Sequence, residues 1–151
     1  MALIRLTKQF NFEMAHALWN YNGSCRNVHG HSYRLFITVI GEPIHDINNP
    51  KNGMVVDFGE FKKWVKSQIV DEFDHCFVVS SDVDVDSLKN INQMFEKLKV
   101  VEFQPTCENL LTYMAEIVQK QLPGNLKLFS LKLSETPTSF AEWFANDQNL
   151  D

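Results

Sequence analysis

Two stretches of alternating polarity govern the first 41 residues. From Ala2 to Ala17 the even positions Ile4, Leu6, Phe10, Phe12 and Met14 are apolar, while Arg5, Thr7, Gln9, Asn11 and Glu13 are polar, as in a long strand with one buried face. From Val28 to Gly41 the odd positions His29, His31, Tyr33, Leu35, Ile37 and Val39 share one face. Asn20, Asn22, Gly23 and Ser24 mark a loop between them, so the pair predicts a long antiparallel hairpin. His16 continues the apolar face of the first strand, and His29 and His31 lie about 7 Å apart on one side of the second. Pairing of the strands brings His16 beside them.

Three imidazoles converging from two strands suit zinc, which in catalytic sites takes three protein ligands and keeps one position open. The plain alternative is a pair of exposed strand histidines and a core histidine with a satisfied hydrogen bond. If zinc binds, neutral imidazoles leave its charge undiminished, and it can act as a Lewis acid on substrate hydroxyls. Cys25 lies four residues before His29. Close to a cation its thiol would lose a proton readily and serve as base or nucleophile; a fourth zinc ligand or an inert thiol are the alternatives. His45 falls in a turn-rich loop and reads as a surface residue.

At 151 residues, with 44% hydrophobic and 22% charged residues, the chain suits one globular domain with a substantial core. A net charge of −5 without like-charged blocks argues against nonspecific nucleic-acid binding and against a basic membrane-docking face. No apolar run has the length of a membrane span and the start lacks the features of a signal peptide, so a cytoplasmic protein is expected. Cys25, Cys76 and Cys107, an odd count, read as free thiols in a reducing compartment.

Beyond the hairpin, Gly41 to Gly53 is turn-rich and Met54 to Val56 is expected as a short strand extension. Asp57 caps a helix with Glu60 three residues on, a start like a capping box. Phe58, Phe61, Val65, Ile69 and Phe73 keep an apolar stripe along that helix. Phe77 to Val79 suits a short strand. Ser80 to Lys99 reads as a solvated loop with a short amphipathic helix around Ile91, Met94, Phe95 and Leu98. Asp82, Asp84 and Asp86 alternate like calcium ligands but lack the glycine and glutamate of an EF-hand. Val100 to Phe103 suits another strand. Thr106 caps a helix from Cys107 to Gln121 that Pro123-Gly124 terminates. Leu126 to Glu135 alternates again, with Phe129, Leu131, Leu133 and Glu135 on one face. The order predicts an α+β fold: a mainly antiparallel sheet with two helices packed on one face.

Asp74-His75 follows a helix end, and a carboxylate can assist the neighbouring imidazole only if the backbone turns between them; a solvated pair is the ordinary alternative. Glu108, in a first helical turn, is explained by the macrodipole. Glu135 ends an apolar strand face and needs a partner; the paired N–H groups of a guanidine-like ligand edge would satisfy it.

Phe12-Glu13-Met14-Ala15-His16, Cys25 with three residues before His29-Gly30-His31, Val56-Asp57-Phe58, Asp74-His75, Pro105-Thr106-Cys107-Glu108-Asn109-Leu110 and Glu135-Thr136-Pro137 stand in the order seen in the 6-pyruvoyltetrahydropterin synthase-like family, which the chain resembles over nearly its whole length. The resemblance implies a T-fold assembling into rings, typically a hexamer of two trimers with active sites at subunit interfaces. It also implies a zinc enzyme acting on 7,8-dihydroneopterin triphosphate. His16, His29 and His31 match the zinc ligands, Cys25 the proton-abstracting base, and Asp74 with His75 the proton relay. Glu135 matches the carboxylate that anchors the pterin's N–H edge and is counted in the relay, and Thr106 and Glu108 match the segment lining the pterin pocket. The gap between Cys25 and His29 most resembles the members that form a 6-carboxypterin and acetaldehyde for queuosine (7-deazaguanine) synthesis; pyruvoyl-forming members usually have a longer one. The family motifs do not cover Ser80 to Lys99, and no obvious basic motif awaits the triphosphate.

Overall fold

In the computed structural model, which describes residues 2–149, the two alternating stretches form β1 (Ile4–His16) and β2 (His29–Gly41). They pair antiparallel along their whole length, Ile4 opposite Gly41 and His16 opposite His29. Residues directly opposite share a face, so Phe10, Phe12 and Met14 join Tyr33, Leu35, Ile37 and Val39 in one buried layer. The next segment holds no strand at Met54 to Val56, where the chain bends; Ile44 instead exchanges backbone hydrogen bonds with Gly53 and Met54 across the turn-rich loop.

Asp57 caps α1 (Phe58–Val65), its Oδ1 accepting from the N–H groups of Gly59 and Glu60. The return arm of a capping box is absent, because the Glu60 carboxylate pairs with Lys51. The helix runs on through a wide turn, Lys66–Val70, wound with i→i+5 hydrogen bonds, into α2 (Asp71–Phe73). Apolar residues every four positions drift about 40° per step against a 3.6-residue helix. The wider turn takes up that drift, and Phe61, Val65, Ile69 and Phe73 all stay buried while Phe58, before it, is exposed.

β3 (Cys76–Ser80) lies beside β1 and parallel to it. The segment read as mostly loop is more ordered than its polarity suggested. Asp84 accepts from the Ser87 N–H and starts α3 (Val85–Met94), and β4 (Leu98–Val101) then adds parallel to β3. The alternating aspartates are thus accounted for locally: Asp84 is a cap, Asp82 receives the Ser80 hydroxyl and Asp86 lies 3.8 Å from Lys89 Nζ. α4 (Cys107–Gln121) matches its expected bounds, with the Thr106 hydroxyl oxygen accepting from the Asn109 N–H.

β5 (Lys127–Ser134) pairs with β2, and β6 (Phe140–Phe144), which alternation did not reveal, pairs with β5. The β2–β5 register slips by one residue between Thr38 and Val39. This bulge leaves Phe129 unpaired and puts Leu128, Leu131 and Leu133 together on the buried face, correcting the uninterrupted alternation expected there. The sheet order is β4-β3-β1-β2-β5-β6. The expected antiparallel sheet is therefore present in β1, β2, β5 and β6, extended by two parallel strands. α1 and α4 cover one face of it, forming with the sheet a core that includes Val65, Ile69, Leu110, Met114 and Val118.

The stripe makes a stability prediction. Ile69→Ala, at a fully buried position, should cost about 2–5 kcal/mol in urea unfolding, whereas Phe58→Ala, outside the stripe's buried part, should cost under about 1 kcal/mol.

Candidate active site

The hairpin register decides the geometry of the histidines. His16 and His29 are directly opposite, and His31, opposite Met14, is the diagonal neighbour. One ligand nitrogen from each lies within 4.8 Å of the other two. His16 is buried and the other two are half-buried.

The outer nitrogens set the protonation pattern. His16 Nδ1 lies 2.7 Å from the Pro105 carbonyl oxygen and His29 Nδ1 lies 2.8 Å from that of Asn27. A carbonyl only accepts, so both Nδ1 atoms carry hydrogen and both Nε2 atoms present bare lone pairs. Those two Nε2 atoms stand 3.0 Å apart. Two lone pairs so close repel unless a proton or a cation lies between them. Burial, foremost, holds the His16 imidazole below its ordinary pKa, which disfavours the proton. Tetrahedral zinc–nitrogen bonds of about 2.0–2.1 Å would set ligand nitrogens roughly 3.3 Å apart, so the His16–His29 pair already has the spacing of two ligands of a divalent transition metal, and His31, within 4.8 Å of both, is placed to be the third.

Tyr33 continues the row of His29 and His31 on β2. It is fully buried, its ring centroid is 5.5 Å from that of His31, and its hydroxyl donates to Glu135 Oε1 at 3.1 Å. The β2–β5 register, carried two residues past Leu35 and Leu133, sets Tyr33 opposite Glu135. Burial and the Glu135 carboxylate raise the Tyr33 pKa, keeping the phenol a donor. The carboxylate thus has the partner that an apolar face demands, and its second oxygen is left for a ligand. Tyr33 was missed as a site residue; its place in the alternating row with the two histidines is the signal that could have found it. Cys107, at the start of α4, donates its thiol to the Leu133 carbonyl, and burial, then Glu135, pushes its pKa up to about 12. It is a packed thiol.

Asp74 and His75 acquire the turn they need. His75 has φ of 57° and donates its backbone N–H to the Glu13 carbonyl at 2.6 Å, while Asp74 Oδ1 accepts the Glu13 N–H at 2.9 Å. This left-handed step brings His75 Nδ1 within 3.1 Å of Asp74 Oδ1. The Glu13 N–H, chiefly, holds the Asp74 carboxyl below its ordinary value. Lys97 Nζ, from the segment before β4, donates to the Asp71 and Asp74 carbonyls at 2.6 and 2.7 Å, closing the helix end. His75 is exposed and, with His31, lines an open groove of about 950 Å³ whose walls include Gly30, Phe77 and Phe95.

The remaining residues are more dispersed. Cys25 is half-buried in a single helical turn, Ser24–Arg26, of the loop joining β1 to β2. Neither it nor Glu135 is among the groove's lining residues. The Thr106 side chain is engaged as a cap, and Glu108 sits exposed in the first turn of α4. His45 is exposed in its loop. The structure therefore joins the three histidines to one another, Glu135 to them through Tyr33, and Asp74 to His75.

A family model described as 6-pyruvoyl tetrahydropterin synthase matches residues 5–146, and the chain belongs to that family of pterin-handling lyases. It is 32% identical over 145 residues to the 6-carboxy-5,6,7,8-tetrahydropterin synthase of Haemophilus influenzae, covering 93% of this chain and 99% of that protein. The protein of the same name from Aquifex aeolicus is 30% identical over 161 residues, covering 91% and 96%. Among solved structures, the 6-pyruvoyl tetrahydropterin synthase of Caenorhabditis elegans aligns with a TM-score of 0.66 at 25% identity, covering 96% of this chain and 97% of that one. An uncharacterized protein of Wolinella succinogenes shares the fold, with a TM-score of 0.77 at 24% identity, covering 96% and 99%.

Two outcomes are expected. Adding Zn²⁺ to metal-free protein should raise Tm, the linked gain in stability being about 2.7 kcal/mol when free Zn²⁺ is about a hundred times Kd, and His29→Ala should abolish the shift. Asp74→Ala should lose about 1 kcal/mol at neutral pH with its hydrogen bond. Because the native carboxyl has the lower pKa, its stabilisation is complete above the unfolded value and fades as pH falls through the native one. Urea midpoints of variant and wild type should therefore converge in acid.

Proposed function

We propose that this chain, as a single domain, is a zinc-dependent carbon–carbon lyase that converts 7,8-dihydroneopterin triphosphate to 6-carboxy-5,6,7,8-tetrahydropterin, acetaldehyde and triphosphate. The balance takes up one water. The observation that carries the reading is the nearly full-length likeness to relatives of that name, and the site geometry agrees with it. The Cys25–His29 gap favours the carboxypterin product over the pyruvoyl one.

His16, His29 and His31 would hold the zinc, which when bound supplies Lewis acidity toward the side-chain hydroxyls of the pterin. Glu135, fixed at Oε1 by Tyr33, offers its other oxygen to the N–H edge of the pterin ring. Thr106 and Glu108 contribute the start of α4 as part of the pocket wall. Cys25 removes a proton from the substrate side chain, and His75, held by the Asp74 carboxylate, returns one. Asp74 keeps His75 in the tautomer with hydrogen on Nδ1, leaving Nε2 to exchange protons in the groove. The half-exposed thiol and the exposed imidazole suit assembly of the complete site between subunits, in a hexamer of two trimers. Among the described residues no helix is long and apolar enough to cross a membrane; a cytoplasmic enzyme serving 7-deazaguanine synthesis is the cellular setting we propose.

Mass spectrometry of products from dihydroneopterin triphosphate tests the reaction. Carboxytetrahydropterin with equimolar acetaldehyde is expected. A pyruvoyl product would make the chain a 6-pyruvoyltetrahydropterin synthase, and pterin retention without turnover would make it a zinc-dependent binding protein. Cys25→Ala should abolish turnover and keep zinc, whereas His31→Ala should lose both; near-normal activity of Cys25→Ala would sink the base assignment.

A further inference from the structure

The loop carrying Cys25 has little packing to hold it. Every residue from Ala17 to Val28 is half-buried or exposed, with Trp19 at 46% and Val28 at 61%. Inside the loop, the Leu18 N–H donates to the Cys25 carbonyl at 2.9 Å, and the turn closes with Arg26 N–H to Gly23 and Asn27 N–H to Ser24. The thiol's position is therefore tied to Leu18, and through it to Trp19.

Trp19 is held by one side chain from a distant segment. Its N–H donates to Gln104 Oε1 at 2.9 Å, and its carbonyl accepts from Gln104 Nε2 at 2.7 Å. A primary amide offers an acceptor and donors side by side, so Gln104 bonds both backbone groups of one residue as a neighbouring strand would. Gln104 is itself fixed: its carbonyl accepts from the Thr106 N–H at 2.7 Å and from Asn109 Nδ2 at 3.0 Å. The next residue, Pro105, is the one whose carbonyl orients His16.

We propose that Gln104 is a positioning residue for Cys25: its amide clamps Trp19, and with it the thiol's loop, to the same two-residue segment that orients the metal-facing histidine. This rests on the reading of Cys25 as the base. Gln104-Pro105 becomes the common frame of two groups, His16 at the end of β1 and Cys25 in the connection to β2. The clamp acts on the geometry of proton removal; the metal-facing histidines take their own orienting contacts from backbone carbonyls, His16 from Pro105 and His29 from Asn27, and Glu135 takes its contact from Tyr33.

The test compares zinc-loaded wild type with Gln104→Met, which keeps the length and loses both hydrogen bonds, and Gln104→Glu, which keeps the acceptor but sets a carboxylate against the Trp19 carbonyl. In both variants kcat should fall at least about tenfold, since misplacement of a reacting group by 1 Å can cost about a hundredfold. KM should stay within about twofold and zinc content per chain should be unchanged. Alkylation of Cys25 by iodoacetamide at fixed pH, followed by peptide mass spectrometry, should change in rate at least about threefold in both variants, and amide exchange at Trp19 should accelerate in Gln104→Met, which loses the acceptor of that N–H. Cys76 and Cys107 are buried with raised pKa values, so the signal is confined to Cys25. Wild-type kcat in both variants overturns the proposal, as does a fall in kcat that follows zinc loss or a lower Tm with alkylation unchanged. If wild type itself gives no turnover, the functional reading fails separately, and alkylation with Trp19 exchange still decides whether the clamp holds the thiol.

Discussion

Everything chemical in this protein depends on the register between β1 and β2. Thirteen residues pair on each side without a bulge, and a slip of one position would turn an entire row of side chains to the other face. The register is secured where the hairpin is buried, through Phe10 against Leu35 and Phe12 against Tyr33, whose rings stack at 5.3 Å. The histidines stand at the end of that ladder and inherit its precision. A cross-strand pair and a diagonal neighbour need no loop of their own to converge.

Around this frame, backbone groups do much of the positioning. The Pro105 and Asn27 carbonyls turn two imidazoles so that their bare nitrogens face each other. Glu13, on the polar face of β1, gives both its N–H and its carbonyl to the turn at Asp74 and His75. His16, His29, Asp74, His75 and Glu135 each have a specific orienting contact. Among the described residues no buried side-chain nitrogen or oxygen lacks a hydrogen-bond partner.

Much of this was legible in the sequence because it rests on local periodicity. The alternation of Ile4 to Met14 and of His29 to Val39, the Thr106 cap and the Pro123-Gly124 stop each carry their structural cause within a few residues. What escaped depends on partners distant in sequence. β6 gains its strand character from pairing with β5, and the β5 bulge at Phe129 arises from the match to β2, so neither has a periodic signature. Asp84 caps α3 amid aspartates that read as solvated loop. At the site, the histidine set followed from spacing, whereas the contacts of Pro105 and Gln104 could not: one is made by a backbone carbonyl, and the other joins residues 85 positions apart.

The wide turn at Lys66–Val70 has a consequence for how this chain tolerates insertions and deletions. Each α-helical residue advances the chain by about 100°, so in a regular helix Phe73, twelve residues after Phe61, would stand about 120° round from it, whereas with one residue removed from the wide turn it would stand only about 20° away. Such a deletion would keep Phe73 on the core side and deliver Asp74 toward the Glu13 N–H. The wide turn is therefore where this helix carries one residue more than its regular phase requires. A shortened version would be a more regular helix that still presents the dyad at nearly the same azimuth.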